Sequence, residues 1–278
     1  MQLRTLNVGC FGGGTGLPSL LGGLKRNPWL SVNAVVTMFD SGGSSGQLRD
    51  ALSILARDLR DVFGTRLHSV VAYGLNRRSH DDDLLHTLAL VDRVTFDDLA
   101  ACAPEADKWE RRGLAVPLLI SRDEFVRTLD VFPVEYDAII RDHAIVDGHS
   151  VFDGIRVNDL DLRRGIELQA KSHLIHLREG FLESGRDSGR VARLIAASAP
   201  VFRRLLANIA RLNGRMPDSD EGIADAAAEQ VGLDRAMVRE VLASAVSATP
   251  AVDPSALLSR YVAGAEQVWQ YVDAWPHR

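Results

Sequence analysis

The spacing of apolar positions changes character twice along this chain. Leu6 to Phe11 is a short apolar run of strand length, and Val32 to Met38 is a second. Gly12-Gly13-Gly14-Thr15-Gly16 follows the first run directly. Behind it, Pro18 suits a first helical turn, and Leu17, Leu20, Leu21 and Leu24 form an apolar face. Asn27-Pro28 stops that helix, and Phe39 to Gly46 is again polar and glycine-rich. The predicted unit is strand, glycine loop, helix, strand: a βαβ. From Gln47 to Phe63 the apolar spacing is three and four, through Leu48, Leu52, Leu55, Leu59 and Val62, with Gly64 as the residue past the end. Leu67 to Tyr73 and Thr87 to Val91 read as strands, separated by Gly74 and the polar stretch Leu75 to Asp83. Thr95 opens a helix with Asp97 and Asp98 in its first turn. Leu114 to Ile120 and Val131 to Ile139 read as further strands, the latter bent at Pro133, and His143 and His149 fall in a loop.

After about residue 158 the pattern is helical. Asp161 to Glu183 and Gly189 to Asn213 are long helices joined by a turn, and Arg215 to Glu221 is a linker. Three more helical segments cover Ala224–Val231, Arg235–Ser247 and Pro254–Trp275. The pattern predicts an α/β fold: the N-terminal βαβ unit continues into a mixed sheet, and a helical bundle closes the chain. The expected divisions are 1–50, 51–157 and 158–278.

Composition narrows the function classes. With 46% apolar and 25% charged residues in 278, the chain is expected to fold. Its net charge of −5 argues against a nucleic-acid partner held on a basic face. Cys10 and Cys102 make neither a disulfide framework nor a four-cysteine zinc site. No apolar run approaches the ~18 residues of a membrane span, and MQLRTLNVGC reaches glycine too early for a signal peptide. A cytoplasmic protein without a membrane partner is expected.

The glycine loops carry the candidate chemistry. Gly12, Gly13, Gly14, Thr15 and Gly16 let the backbone approach an anion, and a following helix N-terminus favours negative charge. The second loop, Asp40-Ser41-Gly42-Gly43-Ser44-Ser45-Gly46, leaves the end of the second strand. In a parallel sheet it lies beside the first, where ligands bind in open α/β sheets. The cofactor- or ligand-binding set is therefore Gly12 to Gly16 with Gly42, Gly43, Ser44 and Ser45.

GGGTGLPSLLGGLK followed by VVTMFDSGGSSGQLRD resembles the N-terminus of the gluconeogenesis-factor and 2-phospho-L-lactate transferase superfamily, over residues 6–50. The resemblance implies a Rossmann-like core that binds a nucleotide sugar or a phosphorylated small molecule. It implies that Gly12 to Gly16 hold phosphate and that Asp40 stands in the ligand or metal site. Asp40-Ser41 replaces the two aspartates of many members, which weakens a two-carboxylate metal site. The chain then departs: ILARDLR stands where the family has a segment like ILPPGDIRN.

From residue 54 onward the chain resembles a nucleotidyltransferase-like domain, through LHSVVAYG, TLALVDRVTFDDL, DVFPVEYDAIIRDHAIVDG and DLRRGIELQAKSHLIHLREGFLESG. An active member of that superfamily has Gly-Ser after the first strand and a carboxylate pair on the next, which binds Mg2+. Here Gly74-Leu75 lacks the serine. With Thr87 to Val91 as the second strand, the paired positions are Leu84 and His86. With a shorter loop they are Asp81 and Asp83, with Glu135 or Asp137 as a third carboxylate. The two resemblances leave three origins open: a compound domain, a remote relative of the first family, or a chimeric chain.

Three functions follow: a nucleotide or nucleotide-sugar binding protein with lapsed transferase chemistry; an active Mg2+-dependent phosphoryl or nucleotidyl transferase using Asp40, Asp81 and Asp83; or an interaction protein that binds no small ligand. His173, His176 and Glu179 have metal-ligand spacing, but Leu174, Ile175 and Leu177 around them favour a helix face packed on the sheet. Gly232 between two short helices imitates a DNA-reading motif, yet Glu229, Asp234 and Glu240 offset Arg235 and Arg239. The stripe Tyr261, Val268, Trp269, Val272 and Trp275 reads as core or a homodimer contact.

Overall fold

A computed structural model describes residues 6–12, 30–36, 44–75, 84–245 and 253–275, with side chains from residue 46 onward. The chain divides into two compact units, Met1–Val126 with Asp142–Asp153, and Arg127–Arg141 with Gly154–Arg278.

In the first unit, β1 (Leu6–Gly12) and β2 (Leu30–Val36) pair in parallel, with Leu6 opposite Leu30 and Gly12 opposite Val36. The predicted helix around Leu17 to Leu24 lies outside the described residues. The chain continues through α1 (Ser44–Phe63) and one 3-10 turn (Gly64–Arg66) into a mixed four-stranded sheet. Its strands are β3 (Leu67–Tyr73), β4 (His86–Val91), β5 (Leu118–Ser121) and β6 (His143–Gly148), in the order β5-β4-β3-β6. β3 runs antiparallel to both β4 and β6, and β4 is parallel to β5.

The periodicity of α1 explains its seat. Leu52, Leu55, Leu59 and Phe63 turn to one side, are 2% exposed or less, and cluster with Val70, Ala72, Ala89, Val91, Trp109 and Leu114. Burying one such leucine is worth about 1.5–3 kcal/mol. Polar groups at the margin are satisfied: the Trp109 indole N–H donates to Asp58 at 2.9 Å, and Lys108 pairs with the same carboxylate at 2.7 Å. The short helices α2 (Phe96–Cys102) and α3 (Ala106–Glu110) lie in the crossover from β4 to β5, and α4 (Arg122–Arg127) follows β5. Thr95 caps α2 in a capping box with Asp98. The Arg66 guanidinium grips Asp98 at 2.6 and 3.0 Å and holds its carboxyl below the usual carboxylate range.

Three sequence expectations change. The strand at Leu114 to Ile120 begins only at Leu118, because Pro117 has no N–H for a ladder; Leu114 contributes one bridge to Leu85. The segment Val131 to Ile139 is not a strand. It is the helix α5 (Pro133–Arg141), which Pro133 starts and an Arg141–Asp137 pair four residues apart reinforces. His143 opens β6 rather than lying in a loop, and His149 follows its end. Gly148 is required there, because at φ +84° an added Cβ would meet the His68 carbonyl oxygen.

The second unit is helical. α6 (Asp159–Ser184), α7 (Ser188–Leu212), α8 (Asp220–Val231), α9 (Arg235–Ser244) and α10 (Pro254–Asp273) follow α5. Gly185 closes α6 in the left-handed conformation and Asp187 caps α7, so SGRDSG is the predicted turn. Tyr261, Val268 and Val272 are fully buried and belong to this core, while Trp269 and Trp275 of the same stripe are half-buried. Arg235 and Arg239 of α9 are both tied to Glu221.

Candidate functional site

The parallel register of β1 and β2 fixes where the glycine loops begin. Gly12 is the last residue of β1 and pairs with Val36, the last of β2. Both loops therefore leave from one edge of the pair, the carboxyl edge where α/β folds place ligands. The second loop ends at Ser44, where α1 starts, with Ser45 next. The first turn of this 20-residue helix carries no acidic side chain, so nothing there offsets the positive end of its dipole. Gly13, Gly14, Thr15, Gly16, Asp40, Gly42 and Gly43 lie outside the described residues.

A second feature stands at one end of the mixed sheet. Tyr73, the last residue of β3, is opposite His86 on β4 and His143 on β6. Register partners across antiparallel strands point to the same face, so the three side chains form a row. The Tyr73 and His86 rings stack with centroids 5.7 Å apart, and His143 meets Phe152 edge-on at 4.8 Å. Below the row, the Gly74 N–H donates to the Asp142 carbonyl at 2.9 Å. β4 begins at His86, one residue before the expected strand, and Leu84 precedes it in a bend. Asp81 and Asp83 lie outside the described residues. The imidazoles and phenol of this row do not fit Mg2+, which takes hard oxygen ligands in octahedral geometry. Glu135 and Asp137, the other expected carboxylates, are on α5. Asp137 is held there by Arg141 at 3.0 Å and by Arg211.

The third feature is a cleft of about 550 Å³ between α6 and α7, lined by residues such as Leu168, His173, His176, Leu194 and Arg204. His173 is 5% exposed, stacks on Phe202 with centroids 5.6 Å apart, and sets its Nε2 2.8 Å from the Tyr261 hydroxyl. Burial lowers the imidazole pKa to about 4 and raises that of the phenol. His173 thus packs on helices α7 and α10 instead of the sheet, while His176 is exposed and pairs with Glu179 at 3.1 Å. The two imidazoles do not converge, and no cluster of metal-ligating side chains occurs among the described residues.

Sequence reasoning did not single out Tyr73, His143 or the His173–Tyr261 bond. The signal for the row was the short alternation of HAIVDG, and the helical bond spans 88 positions without any local trace.

Comparison with known proteins adds two separate likenesses. The family model described as 2-phospho-L-lactate transferase CofD matches residues 8–70, from β1 through α1 into β3. The gluconeogenesis factor of Halalkalibacterium halodurans is 56% identical over 52 residues, which are 19% of this chain and 16% of that protein. The gluconeogenesis factor of Bacillus subtilis is 55% identical over 56 residues, 20% of this chain and 17% of that protein. The match spans about a sixth of each relative's length. A crystal structure of spectinomycin adenyltransferase AAD(9) from Enterococcus faecialis, with ATP and spectinomycin, superposes on 79% of this chain and 98% of its own, with TM-score 0.51 at 12% identity. The N-terminal segment is thus similar to the gluconeogenesis-factor and 2-phospho-L-lactate transferase superfamily, and the greater part of the chain shares the fold of that adenyltransferase. No helix among the described residues is long and apolar enough to cross a membrane.

Proposed function

We propose that this chain binds the phosphate groups of a nucleotide or nucleotide sugar through the Gly12–Gly16 and Asp40–Gly46 loops, without metal-dependent transfer. The observation that carries this reading is the pairing of Gly12 with Val36, which starts both loops at one edge. This reading assigns the anion to backbone N–H donors of Gly13 to Gly16 and to the hydroxyls of Ser44 and Ser45, with the dipole of the α1 N-terminus in support. The reading gives Asp40 a part in ligand binding and requires no metal on it.

The lapsed chemistry rests on the sheet. Where an active member of the fold carries its paired carboxylates, Leu84 and Leu85 lead into β4, which begins at His86, and Leu75 follows Gly74. The competing reading, an Mg2+-dependent transferase, draws on the run Asp81-Asp82-Asp83 just before β4. Pyrophosphate release separates them. Full-length protein is incubated with ATP, GTP or CTP and Mg2+. The binding protein releases none above a buffer control. Release that is abolished in Asp81→Asn and Asp83→Asn establishes the transferase instead.

A further inference from the structure

The outward side of the α6–α7 hairpin carries more exposed aliphatic surface than its surroundings require. Leu168, Ile175 and Leu182 recur at intervals of seven on α6 and are 72%, 41% and 78% exposed. Val201, 40% exposed, and the exposed Ala197 lie on α7, with Leu194 and Leu168 on the walls of the intervening cleft. A repeat of seven is the spacing at which one helix faces another along its length.

Charge on the same hairpin is segregated. Arg190 and Arg193 are exposed near the start of α7, and Glu179 and Glu183 are exposed near the end of α6. Gly180 lies against Leu194, which places Glu179 and Glu183 level with Arg193 and Arg190 along the hairpin. Yet no ion pair forms between these helices: Glu179 pairs within its own helix with His176, and Glu183, Arg190, Arg193 and Arg204 have no ionic partner among the described residues.

We propose that this face is the interface of a two-fold homodimer. A two-fold axis parallel to the helices keeps each residue at its level and exchanges α6 for α7. It therefore lays the Glu179–Glu183 end of one copy over Arg193 and Arg190 of a second copy, and Ile175 over Ala197 and Val201, twice over. The contact is isologous, as a closed dimer requires. The area suffices. Helices of 26 and 25 residues present a face roughly 37 Å long and about 20 Å wide, so about 700 Å² per copy, near the ~800 Å² of a standard interface. The apolar cleft is filled on association by aliphatic side chains of the second copy.

Sedimentation velocity on the full chain between 1 and 100 µM tests this. The expected result is a mass near twice 30.4 kDa at the upper concentrations. Leu168→Asp, at a position 72% exposed in the single chain, leaves the melting temperature of the monomer unchanged and raises the dimer Kd at least 100-fold. Glu179→Arg with Glu183→Arg raises Kd about 10-fold, as does Arg190→Glu with Arg193→Glu, and the four together restore it to within about 3-fold. A control at Met216→Asp, an exposed position beyond α7, changes nothing. A monomer throughout the range overturns the proposal. So does a dimer that Leu168→Asp leaves intact, or a fourfold variant that is weaker than either double.

Discussion

Gly12 and Val36 face each other across the parallel pair as the last residues of their strands. This single register decides whether two glycine-rich loops can act on one ligand. A shift of the pairing would separate them along the edge. α1 then begins directly after the second loop with no acidic residue in its first turn. Ser44→Asp puts a carboxylate at that turn. It is expected to weaken phosphate binding at least 10-fold while leaving the melting temperature equal or slightly higher, since an acidic N-terminal residue stabilises a helix by about 0.3–1 kcal/mol. Calorimetric titration alongside a thermal melt reads both effects, and a variant that binds as wild type contradicts the role given to α1.

Stability is expected to fall with acid before the carboxylates titrate. Burial holds His173 neutral, with its pKa at about 4 against an ordinary value near 6.5. Between those values the unfolded chain takes up the proton and the folded chain does not. The contribution of His173 is therefore complete above pH 6.5 and is lost progressively down to pH 4, to a total of about 3 kcal/mol. Urea unfolding at pH 7.5, 6, 5 and 4.5 measures the slope. His173→Phe, which keeps the stack on Phe202, removes most of it; an unchanged slope shows that other groups carry the dependence.

Asp137 is the counter-charge of a guanidinium that is otherwise incompletely satisfied. Arg211 is largely buried, pairs with Asp137, and has Nε and Nη2 without hydrogen-bond partners among the described residues. Burial lowers its pKa despite that partner. Asp137→Asn leaves the cation unpaired and is expected to cost about 3–5 kcal/mol. The double variant Asp137→Leu with Arg211→Met removes both charges and is expected to unfold closer to wild type than the single variant does. Denaturant midpoints of the three proteins decide it, and additive losses contradict the account.

The Arg66–Asp98 pair ties the start of β3 to the first turn of α2. Asp98 accepts two bonds from Arg66 and also closes the Thr95 cap. Asp98→Ala is expected to destabilise by about 2 kcal/mol, through the lost cap and the lost charged hydrogen bonds. The carboxyl sits below its usual range, so this contribution holds at neutral pH and disappears only as pH falls below about 4. Chemical unfolding at pH 7 and pH 3 checks it; an equal difference at both contradicts it.

The elements that read correctly from sequence are those whose local pattern and tertiary partner agree. Leu52, Leu55 and Leu59 share a helical face and are buried together, and Leu67 to Tyr73 is an apolar run that becomes the centre of a sheet. The segment around Val134 and Tyr136 read as a strand because its apolar residues alternate. Pro133, the Asp137–Arg141 pair and distant Arg211 decide for helix, and the last is invisible locally. β6 escaped notice because His143 and Asp147 are polar and the strand depends on pairing with β3. At the candidate site, the glycine loops were legible as composition, whereas the row of Tyr73, His86 and His143 exists only through register.

The central claim is phosphate recognition by the glycine loops. The most direct test is thermal stabilisation of full-length wild type and Gly14→Ala by UDP-N-acetylglucosamine, ATP, GTP, CTP and phospholactate in EDTA. The account predicts that at least one nucleotide or nucleotide sugar stabilises wild type without metal, by roughly 2.7 kcal/mol at 100 times its Kd. It also predicts that Gly14→Ala, folded and with an unchanged baseline melting temperature, loses the shift. No shift with any ligand, or an equal shift in Gly14→Ala, contradicts it.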